Sequence, residues 1–388
     1  YHGGKALVSK QLNNRPNFRS SSSQKDKGNT MNNVDRLDVH PRIIAALKKA
    51  KLTSLATILC MSAADLERAT KLSFFDIAIL LKAVSYSLPC PPMRTALSLY
   101  NIQAKGEGSP WGHKLSLGCQ ILDEFLHGGI LKQGITEVTG ESSCGKTQIC
   151  LQLCLTVQLP EEKGGLEGGA VYISTEDVFP SKRLHQLTQC FAKNQASHPS
   201  AVKIKFSDNV FIEHAADVDD LRNIINHRLP VLLNRGAIKL VVIDSIAALC
   251  RVEYSFGETS KRANVLRSFG AQLHKLSAQY AVPVVCVNQV SDVIQSDKNS
   301  GISDGKQRSV IPALGMAWSS MVTMRLMLSR TEQLIQPLNQ ALDRRDIDPV
   351  IKRRLRVIFA PHLPNSTCLF YVSSDGVHGY RENHQEGE

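Results

Sequence analysis

No run of about 18 apolar residues occurs in the 388-residue chain, so no segment is expected to cross a membrane as a helix, and no membrane partner is expected. No apolar stretch follows a basic start, so no secretory signal is expected. The ten cysteines include no Cys-x-x-Cys pair and no spacing with histidine that would hold a metal. That usage argues against a disulfide framework and fits reduced thiols of cytoplasm or nucleus. Acidic residues are the other shortage: 35 Asp and Glu against 46 Lys and Arg leave a formal charge of +11 and a pI near 9.2. The excess favours nucleic acid or another polyanion as a partner, although a basic solubilising tail would give the same balance.

The pattern changes along the chain. Residues 1–30 are rich in Ser, Asn, Gln and Lys, which reads as a disordered or non-native leader, with Met31 as a natural start. Residues 31–86 read as a small all-α domain. Pro41 suits a first helical turn, and Ile43, Ile44 and Leu47 make a helix-spaced stripe. Short helices are expected at Leu55–Cys60, Ala63–Ala69 and Phe74–Ser85, with Ser62 and Ser73 as N-caps. Lys48, Lys49 and Lys51 form a basic cluster that is either a solvated face or a phosphate contact. Residues 87–112 read as a linker opened by Pro89, Pro91 and Pro92. Within it the extended-looking stretch from Met93 to Leu97 suits docking on another subunit's sheet edge, or packing on its own core.

From 113 to 388, strand and helix patterns alternate, as in an α/β core with a mostly parallel central sheet flanked by helices. Strands are expected at Ile135–Thr139, Ala170–Thr175, Val210–His214, Leu240–Ile243, Val284–Asn288, Met321–Leu328 and Leu355–Phe359. Their near-continuous apolar runs suit burial on both faces. Trp318, His185 and His214 are expected to pack or lie on the surface rather than act chemically. Lys352, Arg353, Arg354 and Arg356 form the densest basic run, read as a guarded edge strand or as a phosphate-backbone contact.

The chemistry concentrates at strand ends. Gly140-Glu141-Ser142-Ser143-Cys144-Gly145-Lys146-Thr147 lies between a strand and a helix opened by Gln148, the context a phosphate-binding loop requires. Its glycines let successive N–H groups point at phosphate, and the helix dipole adds positive potential. Lys146 is suited to the β- and γ-phosphates of ATP, and the Thr147 hydroxyl to Mg²⁺. Leu240-Val241-Val242-Ile243-Asp244 ends in a carboxylate suited to the metal's shell. Ser245, not Glu, follows it, so the water-orienting acid is sought on the preceding strand, where Glu176 leaves the C-terminal end. The alternative role for Glu176 is helix capping. Gln289 ends another strand and is placed to report the γ-phosphate to the polar loop from Val290 to Ile311.

A phosphate loop with separate Thr-Glu, Ile-Asp-Ser and Asn-Gln strand ends resembles the RecA-type recombinases. The small helical domain in front resembles their eukaryotic paralogues. The resemblance covers about Met31 to Gly379. It implies an ATP- and Mg²⁺-binding accessory factor in homologous recombination that pairs with the paralogue lettered C. Such factors support the strand-exchange recombinase on single-stranded or branched DNA, with nuclear, cytoplasmic and mitochondrial pools. By position it makes Arg183 the residue that packs on adenine, and Met93 and Ala96 the subunit-docking pair, with Met93 in place of the usual aromatic. DNA contacts are expected from Arg251, Lys261 and Arg262 on the first loop and Lys298, Lys306 and Arg308 on the second.

Departures from the family pattern accompany the match. The stretch Tyr254-Ser255-Phe256-Gly257-Glu258 lacks the arginine next to glycine that filament-forming members use on DNA. The histidine and carboxylate that complete a neighbour's ATP site are replaced by Ser320 and Phe359. A subunit that caps or nucleates an assembly, polymerising poorly alone, is therefore expected. The alternatives are an active strand-exchange ATPase, a ring helicase or clock-type ATPase, and a nucleotide-stabilised scaffold without turnover.

Overall fold

The structure, a computed structural model, describes residues 34–87, 93, 95–98, 101, 114–176, 178–196, 204–254, 256–292, 310–336 and 349–382. The expected leader, most of the linker, and Lys298, Lys306 and Arg308 lie outside the described residues. The chain divides into two compact units, Tyr1–Thr95 and Ala96–Glu388.

In the first unit, helices run Pro41–Lys49, Leu55–Cys60, Ala63–Thr70 and Phe74–Ser87. Local chemistry sets their starts: the Ser62 hydroxyl accepts from the Asp65 N–H at 3.1 Å, and Ser73 accepts from Asp76 at 3.2 Å. Ile43, Leu47, Ile58, Leu66, Ile77 and Leu80 then close one core. Lys48 pairs with Asp35 at 2.5 Å on a partly exposed surface, as a solvated face would. The docking segment departs from its extended reading, because residues 96–98 are helical. Ala96 and Leu97 are strong helix formers, and that propensity outweighs a short apolar pattern. Met93 and Ala96 are both exposed.

The second unit is built on a nine-stranded sheet in the order β13-β12-β11-β10-β3-β7-β6-β4-β5. The short pair β1 (Lys114–Leu115) and β2 (Ile130–Leu131) forms a separate ribbon. Then come β3 (Ile135–Gly140), β4 (Gly169–Ser174), β5 (Val210–His214), β6 (Ile238–Asp244) and β7 (Val284–Asn288). β8 (Val290–Asp292) and β9 (Val310–Pro312) pair with each other at the two ends of the long loop. β10 (Met324–Ile335), β11 (Val350–Phe359), β12 (Thr367–Val372) and β13 (Val377–Tyr380) complete the set.

β10, β3, β7, β6, β4 and β5 are mutually parallel, and β11 to β13 extend the sheet antiparallel. β12 and β13 were not anticipated: β13 is short and mostly half-buried, whereas β12 carries an apolar run from Cys368 to Val372 that the reading passed over. β10 starts at Met324 rather than Met321, because the helix Gly315–Ser319 and the Met321 N–H bond to Trp318 O hold the preceding turn. β11 starts earlier than expected, at Val350, which takes the basic run into the strand.

Period-two alternation splits the apolar residues between two cores. Val138, Tyr172, Val242, Val285 and Leu326 face one core, with the helix Lys146–Thr156. Ile135, Ile173, Ile243 and Cys286 face the other, with the helix Thr259–Tyr280. Central strands are therefore covered on both sides, which leaves their C-terminal ends as the open edge.

Fully buried Glu137 on β3 ties the sheet centre. It accepts from Asn288 Nδ2 at 2.7 Å and Trp318 Nε1 at 2.9 Å, and pairs with Arg325 on the adjacent strand. Trp318 thus packs in the core as expected, with its indole N–H satisfied. Arg325 also lies over the Phe359 ring, 5.2 Å from its centroid. Replacing Arg325 alone with Met strands a buried carboxylate and is expected to lower the unfolding free energy by about 3–5 kcal/mol, read from denaturant titration. Replacing Glu137 and Arg325 together by Leu is expected to cost less than the single change.

Candidate nucleotide-binding site

The turn after β3 is shaped by backbone requirements that few residues meet. Gly140 has φ +155°, and a Cβ there would lie 2.3 Å from the Leu328 carbonyl oxygen. Gly145, at φ +107°, caps the helix Lys146–Thr156, and Ser143 also takes a positive φ of 60°. The loop thereby curls around the helix N-terminus, where unpaired N–H groups and the dipole favour an anion. Inside the curl, Lys146 Nζ donates to the carbonyls of its own loop, Gly140 at 2.9 Å and Glu141 at 2.7 Å. Cys144 is buried within the loop, and burial pushes its thiol up.

Beside the lysine, Thr147 Oγ1 donates to Asp244 Oδ2 at 2.8 Å, and Tyr172 OH donates to the same oxygen at 2.5 Å. Asp244 ends β6 and Tyr172 lies on neighbouring β4, facing the same core. Burial raises the Asp244 pKa, against the lowering effect of the two hydroxyl donors. The Asp244–Ser245 peptide is cis. Ser245 Oγ donates to Glu176, and Gln289 Nε2 donates to the same Glu176 oxygen at 2.8 Å. Arg251 in turn donates to Gln289 Oε1. Lys146, Thr147, Glu176, Asp244 and Gln289 thus line one cavity of about 290 Å³, together with Gly140, Glu141, Ser142 and Ser143.

A second cavity, of about 420 Å³, opens on the other flank of Lys146 and Thr147 and is lined by Gln148, Arg183, Arg353 and Ser373. Arg183 is held there by Gln148 Oε1 at 2.7 Å and by the carbonyls of Ser373 and Ser374 at 2.6 and 2.7 Å. The glycine cradle, the self-capped lysine and the Thr147–Asp244 pair fit a phosphate chain with its Mg²⁺. Thr147 and Asp244 would hold the metal.

Among the expected DNA contacts, Arg251 lies next to this cluster. It shares with Glu176 and Gln289 a further cavity of about 720 Å³. Lys261 pairs with Glu258 at 3.0 Å, and Arg262 lies on the helix Thr259–Tyr280. His185 and His214 are exposed, in keeping with their surface reading.

The sequence reading did not single out Tyr172, Ser245 or Arg353. The signal for Tyr172 was present: Ser174 pairs with Asp244, so the residue two before Ser174 faces the same side. Alternation on β11 marks Arg353 in the same way, two residues before core-facing Leu355.

The Rad51 family model matches residues 113–347, more than half of the chain. The chain belongs to the Rad51 family. A second model, described as XRCC3/RpoA-like helix-hairpin-helix domain, matches residues 34–88. Mouse DNA repair protein XRCC3 is 46% identical over 350 residues, covering 89% of this chain and 97% of that protein. The Arabidopsis thaliana XRCC3 homolog is 36% identical, covering 69% and 94%. Fission yeast DNA repair protein rhp57 is 30% identical over 89% of this chain and 98% of its own length. The expected RecA-like core behind a helical N-terminal region is what the two family models and the sheet order show.

The folded-state pKa of Asp244 lies above its unfolded value, so the nucleotide-free fold binds the proton more tightly than the unfolded chain. Its contribution to stability is therefore present at low pH and is lost as pH rises through the interval between the two values. Asp244→Asn is expected to raise the melting temperature of the nucleotide-free protein at pH 7 and to flatten that acidic pH dependence, as read by thermal scans with and without Mg²⁺-nucleotide. The unaltered chain is expected to melt higher with Mg²⁺-ATP, and the same variant is expected to lose that shift.

Proposed function

We propose that the chain is an ATP-binding recombinase paralogue acting in DNA repair by homologous recombination. It assembles with a second paralogue and with single-stranded or branched DNA to support the strand-exchange recombinase. The observation that carries this reading is the convergence of Lys146, Thr147, Glu176, Asp244 and Gln289 on one cavity at the open sheet edge. Bound ATP and Mg²⁺ would supply an activated phosphoryl group and charge neutralisation. Lys146 would leave its loop carbonyls for the β- and γ-phosphates. Glu176, already fixed by Ser245 and Gln289, would orient the attacking water.

The chain Arg251–Gln289–Glu176 connects a candidate DNA contact to the candidate acid through two side-chain hydrogen bonds. Engagement of Arg251 by a phosphate would therefore alter how Gln289 holds Glu176. Coupling of DNA binding to nucleotide turnover follows from that linkage.

Assembly rather than polymerisation suits the residues at the two cap positions. Ser320 is exposed and turns its hydroxyl back to the Ala317 carbonyl at 3.2 Å, and Phe359 lies against Arg325. Neither brings a charge to a neighbouring nucleotide. Met93 and Ala96, both exposed, remain the proposed docking pair for the paralogue lettered C. Nuclear action follows from this role, with cytoplasmic and mitochondrial pools as further expectations of the resemblance.

Lys146→Ala is expected to weaken ATP binding at least about 100-fold, through loss of charge-assisted contacts, as read by fluorescent-nucleotide titration. Glu176→Gln is expected to keep binding and to abolish DNA-stimulated hydrolysis. Unchanged repair by that variant in cells would instead favour a scaffold without turnover. By electron microscopy, the protein alone with ATP on single-stranded DNA is expected to form no long regular filaments. Such filaments would overturn the capping role.

A further inference from the structure

β10 and β11 pair antiparallel, and successive partners on one face are Leu326 with Val357, Leu328 with Leu355, and then exposed Arg330 with half-buried Arg353. The first two pairs belong to the core around the phosphate-loop helix. The third continues the same face past the end of that core, so two arginines stand directly opposite each other at the open sheet edge. Like charges at such positions repel. Among the described residues, no carboxylate pairs with either arginine. Asp375, next to the cavity-lining Ser373, is already engaged by Ser373 and His378.

Arg353 also carries an orphan. Its Nε is buried without a hydrogen-bond partner, while its Nη1 reaches only the Ile351 carbonyl, at 3.0 Å. Such a donor costs free energy. Arg353 also lines the cavity of about 420 Å³, together with Lys146 and Arg183 and no acidic residue. A Cβ added at Gly145 would lie 3.7 Å from Arg353 Cδ, so the arginine stem packs against the phosphate loop itself. Burial and the neighbouring Arg330 both lower the Arg353 pKa, in keeping with a cation that lacks its counter-charge.

We propose that Arg353 is a nucleotide-binding residue, a second arginine besides Arg183, which takes the phosphates of a nucleoside di- or triphosphate on the flank of the loop away from Glu176. The proposal rests on the nucleotide-binding reading above and adds a contact to it. Because this flank is separate from the cavity that holds Glu176 and Gln289, the contact belongs to phosphates that ADP retains. Arg353 therefore serves ADP and ATP alike and does not serve adenosine.

The test is calorimetric titration of the full chain with ADP, ATP and adenosine, alongside thermal melting without nucleotide. Arg353→Ala is expected to weaken ADP and ATP about 10- to 100-fold, as loss of a charge-assisted contact does, and to leave adenosine binding as it was. Arg353→Lys should recover part of the loss, and Arg354→Ala, on the exposed face of the same strand, should match the unaltered chain. Without nucleotide, Arg353→Ala should melt no lower than the unaltered chain, because the repulsion with Arg330 is relieved. A lower melting temperature would assign Arg353 to the fold and overturn the proposal. Unchanged ADP affinity in Arg353→Ala would overturn it alone, whereas failure of the unaltered chain to bind ADP would overturn it together with the nucleotide reading.

Discussion

An ammonium group folded back on its own loop is the constraint around which the second unit is arranged. Lys146 has the carbonyls of Gly140 and Glu141 as hydrogen-bond acceptors, both supplied by the curl it belongs to. That curl needs Gly140 at a φ no other residue adopts comfortably, pressed against the Leu328 carbonyl of β10. It also needs β3 to lie between β10 and β7, and Glu137 keeps it there by joining Arg325 of β10 and Asn288 of β7. The buried ion pair deep in the sheet and the half-buried lysine beyond its edge are thus joined through β3 and the turn that follows it. Damage to the first displaces the second.

The same division of the sheet into two faces distributes the chemistry. Residues on the face of the phosphate-loop helix, Tyr172, Asp244 and Arg353, reach the candidate site at the strand ends. Residues on the other face, Glu137 and Trp318, lock the strands together. Glu176 and Gln289 follow strand ends and are tied to each other, so the groups proposed to act on water and on the terminal phosphate move as a unit. Arg251 joins that unit from the helix after β6, and the proposed DNA contact there would reach it through Gln289.

Much of this was legible in the chain. The phosphate loop, the Asp244 and Gln289 strand ends and the displaced acid at Glu176 were readable because each sits at the end of an apolar run, where a polar residue is conspicuous. The N-terminal helices were readable from Ser62, Ser73 and the spacing of Ile43 and Leu47. What escaped lies where pattern and structure part. β13 is a short, half-buried edge strand without an apolar run, and the apolar run of β12, residues 368–372, was passed over. Arg353 was read as one member of a basic run, although alternation sets it on the face opposite its neighbours: Lys352 is buried against Glu382 at 2.7 Å, and Arg354 is exposed. The helix at residues 96–98 follows from the propensity of Ala96 and Leu97, which the short apolar pattern had masked.

The most direct measurement is a structure of the full chain with Mg²⁺ and a non-hydrolysable ATP analogue. The phosphates should occupy the curl between Gly140 and Gly145, Lys146 Nζ should have moved off the Gly140 and Glu141 carbonyls onto phosphate oxygens, and Thr147 and Asp244 should share the metal. A nucleotide bound elsewhere, or Lys146 still hydrogen-bonded to its own loop with nucleotide present, would contradict the account.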